Sequence, residues 1–164
     1  MTPLLSISYH FDNDAQGWQI NEAGKGGFQS FGGNPGGCIY AEDISTDAWY
    51  FIASNEFIDM TRKAYGLTLG FDLIQSATDA QFNADDVILT GGTTQLTFNS
   101  PHNPGTRWTS YLVKLDEKSG WKNGKVNATQ KEMQQVLQNL TSIRIRGEYR
   151  NGPDRGGLDN VSIR

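Results

Sequence analysis

Asp159 is the most informative carboxylate in the chain. It lies in Leu158-Asp159-Asn160-Val161-Ser162-Ile163, a stretch of strand-like alternation, and shares parity with Val161 and Ile163. That parity predicts that its side chain points to the same face as theirs. A buried, unpaired carboxylate is expensive, so such a residue needs a cation or several donors. Alternatively, Asp159 caps a turn or pairs with Arg155. A second constellation is Arg144-Ile145-Arg146-Gly147-Glu148-Tyr149. As a strand it sets Arg144, Arg146 and Glu148 on one face and the isoleucines on the other. Guanidinium forks beside a carboxylate bind glycan hydroxyls or acidic sugars, and Tyr149 adds a ring. The competing expectation is a cross-strand charge ladder with Asp72.

The four tryptophans are Trp18, Trp49, Trp108 and Trp121. Exposed indoles stack on the C–H faces of sugars. Trp108 follows a Pro-Gly-Thr loop and Trp121 sits within Gly120–Gly124, so these two are candidates for loop-tip ligand contacts, with core packing as the alternative. Trp18 and Trp49 are expected in the core. Hydrolytic chemistry has no comparable signal. The sequence contains no G-x-S-x-G elbow, H-E-x-x-H helix or P-loop, and no carboxylate pair has a distinctive motif. His102 is a loop residue without an evident partner, and Cys38 is expected in a strand or the core.

Composition narrows the function classes further. The 164 residues carry 14 basic and 18 acidic side chains, a formal net charge of −4, which argues against a duplex nucleic-acid binder. No apolar run reaches the roughly 18–20 residues that span a bilayer. One cysteine excludes an internal disulfide and a multi-cysteine zinc site. The first six residues show no secretory signal pattern, consistent with an intracellular protein or, as favoured here, with a domain of a longer exported one.

The elements that must position these side chains read as strands. Ile7, Tyr9 and Phe11 alternate with polar residues, as do Leu67, Leu69, Phe71 and Leu73, and further alternations run through Val87–Leu89, Leu96–Phe98, Tyr111–Leu115 and Ile143–Ile145. The 19 glycines, about 12% of the chain against a usual ~7%, cluster between these alternations as turns. One segment breaks the period. Met133, Val136, Leu137 and Leu140 fall at helical spacing, with Thr129 and Glu132 placed as a capping box. Nine or ten strands and one short amphipathic helix predict a single all-β domain over residues 1–164, a two-sheet antiparallel β-sandwich of the jelly-roll type.

Several runs, in order, resemble the laminin IV type A (laminin B) domain: Asp47–Ala53, Tyr65–Leu73, Asp86–Leu89, Trp108–Tyr111, Gly120-Trp121, Leu140–Tyr149 and Gly156–Val161. The resemblance runs over about Asp47–Ile163. The opening Phe11-Asp12-x-x-x-x-Gly17-Trp18 is similar to that of many galactose-binding-type carbohydrate-binding jelly rolls. Both resemblances imply a jelly roll. The second implies a structural Ca²⁺ where the first and last strands meet, which maps onto Asp12 and Asp159, with Asn34 and Gly37 of the Gly33–Gly37 loop adding oxygens. Calcium takes 6–8 hard oxygen ligands, and this donor mix suits it. The expectation is therefore a non-catalytic, calcium-stabilised extracellular or cell-surface module, monomeric rather than an obligate oligomer. It would bind a glycan or a partner protein through Trp108, Trp121, Arg144, Arg146 and Tyr149. A structural spacer or assembly domain of a larger matrix or cell-surface protein is the alternative.

Overall fold

The structure is a computed structural model and describes residues 5–164. Residues 1–4, counted in the predicted domain and read as part of a start without a secretory signal, lie outside the described residues. In chain order the strands and helices are β1 (Ile7–Tyr9), β2 (Gln19–Ile20), β3 (Gly24–Gln29), β4 (Cys38–Asp43), β5 (Tyr50–Ile52), α1 (Asn55–Thr61), β6 (Thr68–Gln75), β7 (Val87–Gly91), β8 (Thr94–Phe98), β9 (Thr109–Lys114), β10 (Lys122–Asn123), β11 (Val126–Asn127), α2 (Gln130–Gln138), β12 (Leu140–Arg146) and β13 (Arg155–Ile163).

These strands form the predicted two antiparallel sheets. One runs β3-β4-β13-β6-β9, with β1 also paired to β13; the other runs β11-β10-β8-β7-β12-β5-β2. Their inner faces bury Ile39, Phe71, Leu73, Val113 and Leu158 from the first sheet, and Phe51, Leu89, Leu96, Ile143 and Ile145 from the second. Each such aliphatic or aromatic side chain contributes about 1.5–3 kcal/mol when fully buried. Trp18 and Trp49 are in the core, as expected. Tyr9, Phe11, Trp18 and Phe57 make an aromatic cluster at one end, with ring centroids 5.3–6.3 Å apart.

The last strand organises the first sheet. One edge of β13 is shared by two strands: β4 pairs with Arg155–Leu158, and β1 pairs with Val161–Ile163. Between them the opposite pairing is broken. Asp159 faces Asp72 on β6, yet Ser162 faces Gly70, so the chain carries a bulge at Asn160, whose φ is +51°. The bulge corrects the parity expectation for Asp159. Leu158 and Val161 both enter the core although three positions apart, and Asp159 is turned to the outer face beside Asp72. It is buried all the same, because the loop before β4 lies over it.

Both helices have polar caps. In α2, Thr129 and Glu132 form the expected capping box, and Met133, Val136 and Leu137 are buried, while Leu140 already begins β12. The second helix, α1, is absent from the sequence expectation. Its seven residues are too few for a periodic signal; its local mark is the Ser54 side chain, which accepts from Phe57 N at 3.2 Å.

Candidate functional site

One register row crosses four strands of the first sheet: Gly27 opposite Tyr40, Tyr40 opposite Gly157, and Gly157 opposite Ile74. Their chain neighbours Ile39, Leu73 and Leu158 point into the core, so this row faces outward. The two glycines keep its floor low. A Cβ at Gly157 would lie 3.0 Å from Ile74 and 3.2 Å from the Trp108 ring. Trp108 is half-buried at the rim, and its Nε1 donates to the Gly32 carbonyl at 3.2 Å. The Arg155 guanidinium lies over the Tyr40 ring, 4.2 Å from its centroid, and Nη2 donates to Gln29 Oε1. The result is a shallow groove of about 160 Å³ with Gln29, Tyr40, Ile74 and Arg155 among its walls. The guanidinium and the amide can meet sugar hydroxyls, and the Trp108 ring at the rim can meet a sugar C–H face.

Of the predicted ligand contacts, only Trp108 reaches this groove. Trp121, predicted at a loop tip, is 0% exposed. The Gly120 turn, at φ +100°, folds its ring inward onto Phe98, with centroids 5.5 Å apart, and Nε1 donates to the Lys114 carbonyl at 2.9 Å. Arg146 is 1% exposed and is an internal strut. The alternation along β12 is as expected, but the segment Phe82–Asp86 covers that end of the strand. Arg146 donates to the carbonyls of Glu148 (2.6 Å), Ala84 (3.2 Å) and Phe82 (2.6 Å), and pairs with Asp86 at 3.4 Å. Its ion partner is Asp86 instead of the predicted Asp72. Burial raises the Asp86 carboxyl, against the pull of the Ser100 N–H and of Arg146. Tyr149 is buried too, its ring 4.1 Å from the Arg146 guanidinium carbon. Arg144 is half-buried in the other sheet, between Ile52 and Ile88, and does not share a face with Trp108. Cys38 is buried in β4, and burial pushes its thiol up to about 11, which leaves it unreactive. His102 stacks on Tyr111, with centroids 5.0 Å apart.

Of the predicted metal residues, Asn34 and Asp159 meet at the gap between β1 and β4, while the Gly36-Gly37 turn abuts Asp12 and Phe11. Asp159 Oδ2 accepts from Asn34 N at 2.6 Å, and its Oδ1 from Asn160 N at 2.7 Å. Asp72 Oδ2 accepts from Asn34 Nδ2 at 3.0 Å and Asn160 Nδ2 at 2.8 Å. His10 Nδ1 lies 2.8 Å from Asn160 Oδ1. Gly37 crowds Phe11, since a Cβ there would sit 2.1 Å from the Phe11 carbonyl, and a Cβ at Gly36 would sit 2.6 Å from Asp12 Oδ1. Asp72 is the member that sequence did not offer. Among the described residues no Lys or Arg bridges Asp72 or Asp159. Burial pushes Asp159 up to about 6, opposed by the N–H groups of Asn34 and Asn160 and reinforced by Asp72. Two carboxylates face each other here, but Asp159 Oδ1 and Oδ2 and Asp72 Oδ2 already accept N–H groups of Asn34 and Asn160, so an oxygen-seeking cation would have to replace those bonds.

A sequence profile of the Laminin B (Domain IV) family matches residues 50–164. The chain belongs to the laminin B domain IV family. The laminin gamma-1 subunit of Danio rerio is 29% identical over 165 residues, 96% of this chain, and the Homo sapiens gamma-1 subunit is 28% identical over 174 residues, 98% of it. The chain spans about a tenth of the length of either subunit. Among solved structures, the L4b domain of human laminin alpha-2 superposes with a TM-score of 0.74 at 16% identity, covering 98% of this chain and 97% of that one. A family 11 carbohydrate-binding module of a Clostridium thermocellum cellulase superposes with a TM-score of 0.60 at 13% identity, covering 99% and 95%. Such likenesses show a shared fold. Within this laminin B domain, the profile segment supplies Asp72, Trp108, Arg155 and Asp159. Asp12, Asn34, Gly37 and Tyr40 come from the strands and loops ahead of it.

Proposed function

We propose that this laminin B domain is a non-catalytic extracellular recognition module that holds a glycan in the Tyr40–Trp108 groove. The observation that carries this is the outward row of Tyr40, Gly157 and Ile74, crossed by Arg155 and Gln29, with the Trp108 ring beside Gly157 at the rim. Support in kind comes from a family 11 carbohydrate-binding module of the same fold that was solved with a β-1,3-1,4-mixed-linked tetrasaccharide. The extracellular part of this proposal is supported by the similarity to laminin subunits. A glycan array tests the proposal: wild type should retain a defined set of glycans that Tyr40→Ala and Trp108→Ala lose at unchanged melting temperature. An array without hits, or hits that survive both substitutions, would contradict it.

One observation favours the second proposal, a structural spacer or assembly domain. The Arg155 guanidinium already lies on the ring face of Tyr40 and bonds Gln29, closing the groove from within. Arg155→Ala separates the two: it should leave a spacer unaffected and alter glycan retention in a recognition module.

The corner of Asp159, Asp72, Asn34 and Asp12 is proposed to hold a structural Ca²⁺, with Gly37 permitting the close loop approach. Bound there, the ion would neutralise facing carboxylates and tie the ends of the domain together. In differential scanning calorimetry, wild type should melt lower in excess chelator than in calcium. Asp159→Asn should reduce that difference.

A further inference from the structure

A second set of carboxylates lies at the far end of β13. Asp43 ends β4, Asp154 immediately precedes β13, and Glu148 follows β12. Each is held by its backbone. Asp43 N donates to the Asp154 carbonyl at 3.2 Å, and Glu148 N to the Trp49 carbonyl at 3.3 Å. The Trp49 indole donates to Asp154 Oδ1 at 3.3 Å, and Ser45 N to Asp43 Oδ1 at 3.0 Å. One oxygen from each of the three carboxylates lies within 4.8 Å of the other two. Two oxygens that ligate one calcium ion at 2.3–2.6 Å can be no more than about 5 Å apart, so the spacing admits a shared ion.

Crowded carboxylates alone are common on surfaces, and these are different. Glu148 is 4% exposed and Asp154 6%. Glu148 Oε2 and Asp154 Oδ2 are buried without a hydrogen-bond partner, and both residues contribute to the trio. Leaving buried charged oxygens unmatched is costly. Arg150, whose charge acts on Asp154, is engaged by Asp79 at 2.8 Å and by the Pro153 carbonyl. Asp43 is only half-buried and opens the trio to solvent, which gives an ion an entry path and water ligands.

We propose that Asp43, Glu148 and Asp154 form a divalent-cation site of all-carboxylate character, selective for hard ions such as Ca²⁺. It is separate from the Asp159 corner, about 15 Å further along the same strand. A cation here would pin the ends of β4, β12 and β13, which belong to both sheets, beneath Trp49. The competing account is a proton shared between Glu148 and Asp43, since burial and the neighbouring Asp43 and Asp154 push Glu148 up to about 7.

Calcium titration calorimetry on the whole chain, paired with melting curves in chelator and in calcium, decides between them. Wild type should bind Ca²⁺ and melt higher with it. Asp43→Asn and Glu148→Gln should each weaken this site about tenfold or more, because ligand charge sets affinity. Glu148→Gln should also melt no lower than wild type in chelator, since it removes a repelling charge. Asp159→Asn should retain the component that these two variants lose, which separates this site from the other corner. Terbium used as a calcium surrogate should show indole-sensitised emission that falls in Glu148→Gln. Calcium binding unchanged in both Asp43→Asn and Glu148→Gln would overturn the proposal, as would wild type that neither binds the ion nor gains stability from it.

Discussion

A guanidinium sealed from water is tolerable only when its donors are matched, and Arg146 is matched by three carbonyls and Asp86. It ties the Phe82–Asp86 segment to β12, so its removal would strand the Asp86 carboxylate. Arg146→Met should cost about 3–5 kcal/mol in urea unfolding, and much of that should return in the Arg146→Met/Asp86→Asn double variant. A further residue-scale consequence concerns pH. Glu148 is raised in the folded chain from the ordinary 4.5 to about 7, chiefly by burial and then by Asp43 and Asp154. A carboxyl raised on folding stabilises below its unfolded value, and that stability is lost as pH climbs toward the folded value. In chelator, wild type should therefore lose stability between about pH 4.5 and 7, on the order of 1–3 kcal/mol from this group. Glu148→Gln should flatten that part of the curve; an identical slope in both proteins would contradict the assignment.

At the scale of elements, the parts with a long period were legible in sequence. Alternation in Leu67–Leu73 and the helical spacing of Met133, Val136 and Leu137 correspond to β6 and α2. The capping box is equally local: Thr129→Ala should cost about 1 kcal/mol by chemical denaturation. What period could not reveal was the bulge at Asn160, where one extra residue reverses the faces on either side and puts Asp159 beside Asp72. Nor could it reveal what covers a face. Arg146 occupies the predicted outer side of β12, and the loop from Phe82 buries it. Tyr40 escaped notice for the opposite reason: it is one polar-tipped ring between Ile39 and Ala41, and its role comes from glycines that only pairing brings alongside it.

At the scale of the whole molecule, two devices follow from one topological choice. Because β1 and β4 share an edge of β13, their loops meet over Asp159, while the opposite end of β13 brings Asp43 toward Asp154. The outer face of the sheet between those ends carries the groove. The most direct measurement is amide and indole chemical-shift mapping of the labelled chain with a glycan that the array retains. Shifts should concentrate on Gln29, Tyr40, Ile74, Arg155, Gly157 and the Trp108 indole, with Trp121 unmoved. Shifts confined to the β12 side around Arg144, or none at saturating glycan, would contradict a recognition module that works through this groove.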